Sequence, residues 1–281
     1  MIFQLDRFDL DRFVAETLAE DLGDGGDVTS AAVIPVEARF AGVMRARERL
    51  VVAGLAVADT FFRALDADAE IERLAADGDQ AEPGDLLLRV RGRARALLAA
   101  ERSALNTVQH LAGVATLTRR YVDAIAGTGA VLLDTRKTLP GLRALEKYAT
   151  RIGGARNHRM GLDDAAMIKD NHVAVAGGVA EAVRRAAAAG IERIIVEVDR
   201  LDQIEPAIGA GATHLLLDNM GVAALREAVA AVAGRVPTEA SGGVTLETIR
   251  ETAATGVTYV SVGRITQSAP AVDIGLDFEP L

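Results

Sequence analysis

Beyond residue 130, short apolar runs alternate regularly with longer amphipathic segments. Short apolar runs bounded by polar or glycine positions are typical of buried parallel strands, and amphipathic segments are typical of the helices that cover them. The predicted strands are 131–134, 165–169, 194–199, 214–219, 236–240 and 258–263. The predicted helices between them are 141–151, 177–190, 201–209, 221–233 and 245–255. This half of the chain is therefore predicted to form an α/β structure on a parallel sheet.

Polar residues end several of these predicted strands at even spacing. Glu197, Asp218 and Glu239 lie 21 residues apart, and Val262 follows 23 residues later. Such repetition suits a barrel or a doubly wound sheet, and polar strand ends favour the barrel, because barrel enzymes carry their chemistry there. The alternative is that acids at strand ends only cap the next helix. Six predicted strands, instead of the eight of a closed barrel, leave open an incomplete barrel or a further strand earlier in the chain.

The first 130 residues follow a mixed pattern. Helices are predicted over 5–22, 55–65 and 94–121, and alternation around 38–54 and after the turn at Pro83-Gly84 predicts strands. The tail from Thr266 to the end contains no predicted element, and one possibility is that it returns to the first domain.

Composition narrows the classes of function. The chain has no cysteine, which excludes disulfides and thiolate chemistry, and its net charge of −9 argues against a nucleic-acid binder. The segment from Asp134 to His172 holds all three lysines and carries a net charge of +3, whereas the rest of the chain carries −12. This cationic segment indicates either a small, strongly anionic ligand or a solvated basic face. Because no secretory signal or membrane-length apolar run is visible, we expect a cytoplasmic protein.

Three motifs within the cationic segment supply candidate anion ligands. They are TRKT at 135–138, GGARNHRMG at 153–161 and IKDNH at 168–172. Arginine offers a planar fork and lysine a compact charge, and both suit phosphate or carboxylate groups. Lys169 ends an apolar strand, so an anion or an acid is expected to meet it. The alternatives are solvated turns and a flexible glycine loop.

Carboxylates and glycine-rich turns complete the candidate chemistry. Glu197 and Asp218 on neighbouring strand ends could hold Mg2+, mainly through water, or could be ordinary capping or salt-bridged acids. The turns ASGGVT at 240–245 and SVGR at 261–264 could bind a phosphate through backbone N–H groups. The local sequence around Arg102 indicates only an ordinary helix arginine. Together these features indicate transfer or hydrolysis of a phosphorylated sugar.

The run DTRKTLPGLRALEKYATRIGGARNHRMGLDDAAMIKDNH, at 134–172, resembles the quinolinate phosphoribosyltransferases. The resemblance extends over nearly the whole chain through EDLGDGGDVTS, ERSALNTVQHLAGVAT, VEVD, LLLDN, EASGGV and SAPAVDIGLDF. It implies the type II phosphoribosyltransferase fold, with an N-terminal α/β sandwich domain over 1–110, completed by the tail 267–281. The remainder, 111–266, would form an open, incomplete α/β barrel.

The resemblance also implies an activity and its residues. The chain would be a pentosyltransferase of NAD biosynthesis that converts quinolinate and phosphoribosyl pyrophosphate into nicotinate mononucleotide, pyrophosphate and CO2. The quinolinate carboxylates would be surrounded by Arg136, His158, Arg159 and Lys169, with Arg102 reaching in from the partner of a homodimer. Lys137 would also face that site and the sugar-phosphate. The catalytic residues would be Lys137, Glu197 and Asp218, the last two serving the ribose and Mg2+–pyrophosphate. The 5′-phosphate would be held by Ser241, Gly242, Gly243 and Gly263.

Three positions depart from the family pattern, and several other functions compete. Ala112 replaces a usual Ser, Arg264 replaces a small residue, and Gln267 stands where the family often has a phosphate-contacting His. A ModD-like protein of the same fold and a nicotinate-specific transferase are the nearest alternatives. A Schiff-base aldolase using Lys169 or Lys137 and a non-catalytic phosphate-sensing module are the more distant ones.

Overall fold

A computed structural model of the protein describes residues 5–280. Its helices are α1 (Leu10–Leu22), α2 (Val28–Val33), α3 (Leu55–Leu65), α4 (Ala94–Ala124), α5 (Arg143–Gly153), α6 (Asp170–Ala176), α7 (Val179–Ala188), α8 (Ile204–Gly209), α9 (Val222–Val232), α10 (Ile249–Ala253) and α11 (Arg264–Gln267). Its strands are β1 (Arg39–Ala46), β2 (Leu50–Val51), β3 (Glu70–Arg73), β4 (Gln80–Ala81), β5 (Leu86–Arg93), β6 (Val131–Leu133), β7 (Ala166–Ile168), β8 (Ile194–Val198), β9 (His214–Asp218), β10 (Thr238–Ser241), β11 (Tyr259–Ser261) and β12 (Ile274–Phe278).

The chain divides into two compact units. The first unit comprises the residues up to Leu117, Ala144–Gly153 and the residues from Ala269 onward. The second unit comprises Thr118–Arg143 and Gly154–Ser268. Most of α5 therefore belongs to the first unit, although in the sequence it lies between two strands of the second.

The first unit is built on an antiparallel sheet with the strand order β12-β1-β5-β3. The tail joins this sheet through β12, which pairs with β1 from Gly42 opposite Phe278 to Ala46 opposite Ile274. Met44 and Leu88 are fully buried, as is Phe61 of α3. The tail strand escapes prediction because its few residues show no repeated alternation.

Helix α1 begins later than the sequence pattern predicts. The carboxylate of Asp9 accepts a hydrogen bond from the Arg12 N–H at 3.0 Å, which caps the helix before Leu10. Residues Val14 and Leu18 of α1 are buried, and Phe13 meets Phe61 edge to face with 6.0 Å between ring centres. The predicted amphipathic face is therefore present, although the helix is shorter.

The second unit contains six parallel strands in the order β6-β11-β10-β9-β8-β7. Ile195, Val196, Leu215, Leu217 and Val260 of these strands are almost fully buried. In the described residues β6 and β7 are the two outer strands, and β6 makes one further bridge from Leu133 to Arg156. The predicted α/β fold, with an N-terminal α/β sandwich domain and an open, incomplete α/β barrel, is confirmed; the structure adds that the sheet of the N-terminal unit is antiparallel.

Short elements account for most differences from the predicted boundaries. The predicted helix over 177–190 is Val179–Ala188, and the unpredicted α6 precedes it. None of the α6 residues is buried, so the helix has no apolar stripe for the sequence to reveal. Within residues 5–280 no helix combines the length and the low charge that crossing a bilayer requires.

Candidate active site

A cavity of about 720 Å³ lies at the carboxyl ends of the parallel strands of the second unit. The predicted site residues that line it are Arg136, Lys137, His158, Arg159, Lys169, Glu197, Asp218, Ser241, Gly242, Gly243 and Gly263. Arg102 is exposed on α4 in the first unit and does not line this cavity. The fold thus brings together candidates that are separated by more than a hundred residues in the sequence.

Arg136 and Arg159 form a cationic wall of the cavity. Arg159 is 8% exposed, and the hydrogen bonds of its guanidinium within residues 5–280 are weak, 3.3 Å to the Ala165 carbonyl and 3.4 Å to the Met167 sulfur. Burial, and then the positive charge of Arg136, lower the pKa of Arg159. The buried Arg136 Nε has no hydrogen-bond partner within residues 5–280. Two neighbouring cations, neither of which forms a salt bridge within residues 5–280, favour an anionic ligand.

Lys169 and Glu197 form an ion pair at the ends of neighbouring strands β7 and β8. The Lys169 backbone N–H also donates to His172 Nδ1 at 3.1 Å, which fixes the start of α6. The expectation that an acid or anion meets Lys169 is confirmed. An ammonium group held by a carboxylate is a poor candidate for the neutral amine of Schiff-base chemistry.

Asn219 links Asp218 to the glycine-rich turn after β10. Its backbone is left-handed with φ 53°, and its N–H donates to the Ser241 carbonyl at 2.8 Å. The Asn219 side chain donates to Asp218 Oδ2 at 2.6 Å. Gly242, with φ +97°, lies so close that an added Cβ would meet Asn219 Oδ1 at 2.2 Å. The sequence alone does not assign Asn219 a role, and the helix cap that follows it is Gly221.

Gly263 and Lys137 line a further part of the cavity wall. A Cβ on Gly263 would lie 2.8 Å from Lys137 Cδ, so a glycine here leaves room for the lysine stem. Thr266 Oγ1 donates to the Lys137 carbonyl at 2.6 Å and fixes the backbone from which that side chain leaves. Arg264 and Gln267 of α11 also line the cavity.

Glu239 is a site residue that sequence reasoning noticed as a strand end but did not assign. It is fully buried, and its Oε2 lies 3.2 Å from His158 Nε2 and 2.9 Å from His214 Nε2. Burial opposes its ionisation, but the contacts with His158 and His214 outweigh burial and lower the pKa of Glu239 to about 2. The carboxylate is therefore charged at the cavity floor. Its two partners lie 81 and 25 residues away, which no local pattern reveals.

The cavity as a whole is cationic but also holds carboxylates. Its positive side chains are Arg136, Lys137, Arg159, Lys169 and Arg264, and its carboxylates are those of Glu197, Asp218 and Glu239. Within residues 5–280 no group of three or more His, Asp or Glu side chains could hold a metal ion. Glu197 and Asp218 fit an ion such as Mg2+, which uses few protein carboxylates and takes its other ligands from water and phosphate.

An open parallel α/β barrel with a cationic cavity and a glycine-lined wall at its strand ends defines the class of barrel enzymes that bind phosphorylated anionic substrates. Comparison with models of known protein families identifies the family. Residues 114–277 match the C-terminal domain of quinolinate phosphoribosyl transferase, and residues 27–112 match its N-terminal domain. The chain belongs to the quinolinate phosphoribosyl transferase family.

Individual relatives are similar to this chain over nearly its full length. A nicotinate-nucleotide pyrophosphorylase (carboxylating) of Mycobacterium leprae is 46% identical over 272 residues, covering 94% of this chain and 95% of that protein. A quinolinate phosphoribosyltransferase (decarboxylating) of Nicotiana tabacum is 40% identical, covering 97% of this chain and 83% of its own length. The solved structure of NadC from Streptococcus pyogenes has a TM-score of 0.93 at 37% identity, covering 99% of this chain and 100% of that one.

Proposed function

We propose that this protein transfers the phosphoribosyl group of phosphoribosyl pyrophosphate to quinolinate, with release of pyrophosphate and CO2, to give nicotinate mononucleotide. The observation that carries the proposal is the pair of Arg159, which is buried, and Arg136, whose Nε is buried. Neither forms a salt bridge in the described residues, and both line the same cavity as Glu197 and Asp218. A doubly anionic pyridine substrate supplies the missing negative charge. Family membership supports the same reaction.

The quinolinate subsite is proposed on the cationic wall. Arg136 and Arg159 face the two carboxylates of the substrate, and Lys169 adds a third cation once it moves from Glu197. His158 lies at the floor beside them. A substrate with one carboxylate leaves one of the two guanidinium groups without a negative partner, so nicotinate binds more weakly than quinolinate.

The sugar-phosphate subsite is proposed on the glycine wall. Backbone N–H groups of Ser241–Gly243 and Gly263 suit the 5′-phosphate, and Lys137 lies between the two subsites. Glu197 and Asp218 would hold Mg2+ largely through water and pyrophosphate. When bound, this ion would neutralise negative charge on the pyrophosphate.

The chemistry needs no protein nucleophile. The quinolinate nitrogen attacks C1 of the ribose as the bond from C1 to the pyrophosphate oxygen breaks. The positive charge of Lys137 stabilises the departing pyrophosphate. Positive charge that develops on the sugar is stabilised by Glu197 or Asp218. The quaternised ring then accepts the electron pair of the carbon–carbon bond that releases CO2, and the ring carbon takes up a proton. The protein holds the two reactants in near-attack geometry.

We further propose a homodimer in which Arg102 enters the partner's site, and a cytoplasmic location. Arg102 is exposed on α4. A residue that enters the site of another subunit has to be exposed on its own chain. Two inactive variants test this arrangement. If Arg102→Ala and Lys137→Ala are unfolded and refolded together, hybrid dimers contain one site without either substitution, and activity returns. Failure of the mixture to regain activity, with hybrid dimers confirmed by mass, refutes the shared site.

The reaction itself is tested with purified protein, quinolinate, phosphoribosyl pyrophosphate and Mg2+, following CO2 and nicotinate mononucleotide together. We expect both products in equal amounts, and loss of both on omission of Mg2+ or in Lys137→Ala. The matched control is Arg226→Ala, which removes an exposed cation of α9 outside the cavity. Product from nicotinate but not from quinolinate contradicts the proposal and identifies a nicotinate-specific transferase.

A further inference from the structure

Both ring nitrogens of His158 are already engaged by the protein. Nδ1 accepts the backbone N–H of Arg159 at 2.7 Å, and Nε2 lies 3.2 Å from Glu239 Oε2. A nitrogen that accepts a hydrogen bond carries no proton, so the ring proton is on Nε2 and points to the carboxylate. This geometry describes a neutral imidazole that donates to Glu239, with neither nitrogen available to a substrate carboxylate.

Glu239 is held as a charged acceptor by a second histidine. His214 Nε2 lies 2.9 Å from the same oxygen, although it is not aligned for a hydrogen bond. The His214 ring is stacked on Tyr259 with 5.6 Å between centres, which fixes its position. Oxygen Oε1 of Glu239 has no partner within residues 5–280. The carboxylate is thus held by the two imidazoles and also by the Ser261 side chain, which helps to keep it charged.

The position of Arg159 depends on the backbone that His158 holds. Within residues 5–280 the Arg159 guanidinium is held by two weak hydrogen bonds, to Ala165 and Met167, and the chain from Ala155 to Ala165 contains no helix or strand. Asp134 accepts the His158 N–H at 2.8 Å, and the His158 ring accepts the next N–H along the chain. These two bonds set the direction in which the Arg159 side chain leaves the backbone.

We propose that Glu239 is a positioning residue that fixes His158 as the neutral Nε2–H tautomer, so that His158 orients Arg159 in the anion-binding wall instead of meeting the substrate as a cation. The chain of contacts runs from Glu239 through the imidazole to the Arg159 N–H. With Glu239 removed, the other tautomer, with a proton on Nδ1, becomes accessible and opposes the Arg159 N–H. The inference rests on the proposed function only for the identity of the substrate.

The protonation of His158 is measured directly by NMR of protein labelled with 15N at histidine. The chain has four histidines, so each ring gives a resolvable signal that single His-to-Gln variants assign. We expect His158 at neutral pH to carry its proton on Nε2 alone, and Glu239→Gln to lose this preference. A doubly protonated His158, or a proton on Nδ1 in the unmodified protein, overturns the inference. This measurement requires no turnover, so it fails independently of the proposed function.

Kinetics test the consequence for binding. Loss of a buried, charge-assisted hydrogen bond predicts that Glu239→Gln raises the KM for quinolinate roughly ten- to hundredfold, while the KM for phosphoribosyl pyrophosphate stays near that of the unmodified enzyme. The matched control is Glu227→Gln, the same change on the exposed face of α9. An unchanged KM for quinolinate, or an equal rise for both substrates, contradicts a positioning role directed at Arg159.

Substitutions of His158 separate position from charge if Glu239→Gln does not fold. Asn can place its amide oxygen where Nδ1 accepts the Arg159 N–H, whereas Lys supplies a cation and neither contact. We expect His158→Asn to bind quinolinate more tightly than His158→Lys. Tighter binding by the lysine variant shows that the charge of His158 is what matters and refutes the inference.

Discussion

The contact between Gly242 and Asn219 makes a sharp prediction about the turn after β10. In Gly242→Ala the new Cβ would lie 2.2 Å from Asn219 Oδ1, 2.6 Å from its Cγ and 2.9 Å from its backbone nitrogen. One of these atoms is backbone, so a side-chain rotation alone cannot relieve the clash. Asn219 must shift, and with it the hydrogen bonds to Ser241 and Asp218.

The magnitude follows from two contributions. An alanine at φ +97° costs about 1–3 kcal/mol of backbone strain. Loss of the two Asn219 hydrogen bonds costs about 1 kcal/mol each. We therefore expect Gly242→Ala to lower the free energy of unfolding by about 3–5 kcal/mol. Displacement of Asp218 by about 1 Å is expected to reduce kcat/KM on the order of a hundredfold.

The neighbouring glycine provides the control. Gly243 also has positive φ, +61°, but an added Cβ would meet nothing within 4 Å. Gly243→Ala should cost only about 1–2 kcal/mol, the penalty of a left-handed alanine. Urea unfolding and steady-state kinetics of both variants compare the two sites. If the two substitutions cost the same stability and the same activity, the Asn219 contact has no role and the reasoning is wrong.

Three further predictions concern charges. Arg159→Gln should leave the protein at least as stable in thermal unfolding, because it removes a buried cation beside Arg136. The same variant should raise the KM for quinolinate on the order of a hundredfold. A clear loss of stability contradicts this prediction. The lowered pKa of Glu239 contributes stability above the unfolded-state value of about 4.3 that is lost as pH falls toward 2, so unfolding measured from pH 5 to pH 2 should depend less on pH in Glu239→Gln. Burial and Asp77 raise the pKa of Tyr148, so stability falls as pH rises above about 10, and Tyr148→Phe should flatten this alkaline loss, as denaturation at pH 9 to 11 will show.

Secondary structure was predicted best where the pattern was long and repeated. The predicted helix over 55–65 has the observed bounds Leu55–Leu65, and the six predicted parallel strands are all present. Short elements without a buried stripe, such as α6, were missed, as was β12 in the tail. The strand predicted over 236–240 is Thr238–Ser241, because pairing with β9 and β11, and not local hydrophobicity, decides where it ends.

The candidate site was predicted to the extent that its residues sit in local motifs. Glycine turns and charged residues at strand ends are visible in the sequence, and the parallel sheet brings such ends to one edge. Asn219 and Glu239 were not assigned, because their importance lies in contacts with Gly242, His158 and His214. A carboxylate at a strand end has the same local sequence whether it caps a helix, binds a ligand or orders an imidazole.

By itself the sequence determined the alternation of strands and helices, the location of positive charge and the family, because periodicity, composition and motifs are properties of neighbouring residues. The tertiary structure alone decided that α5 belongs to the first unit, that Lys169 meets Glu197 and that His158 has both nitrogens engaged. These facts depend on strand register and on which side chains share the barrel interior. Both are set by the packing of the whole sheet, which no single segment encodes.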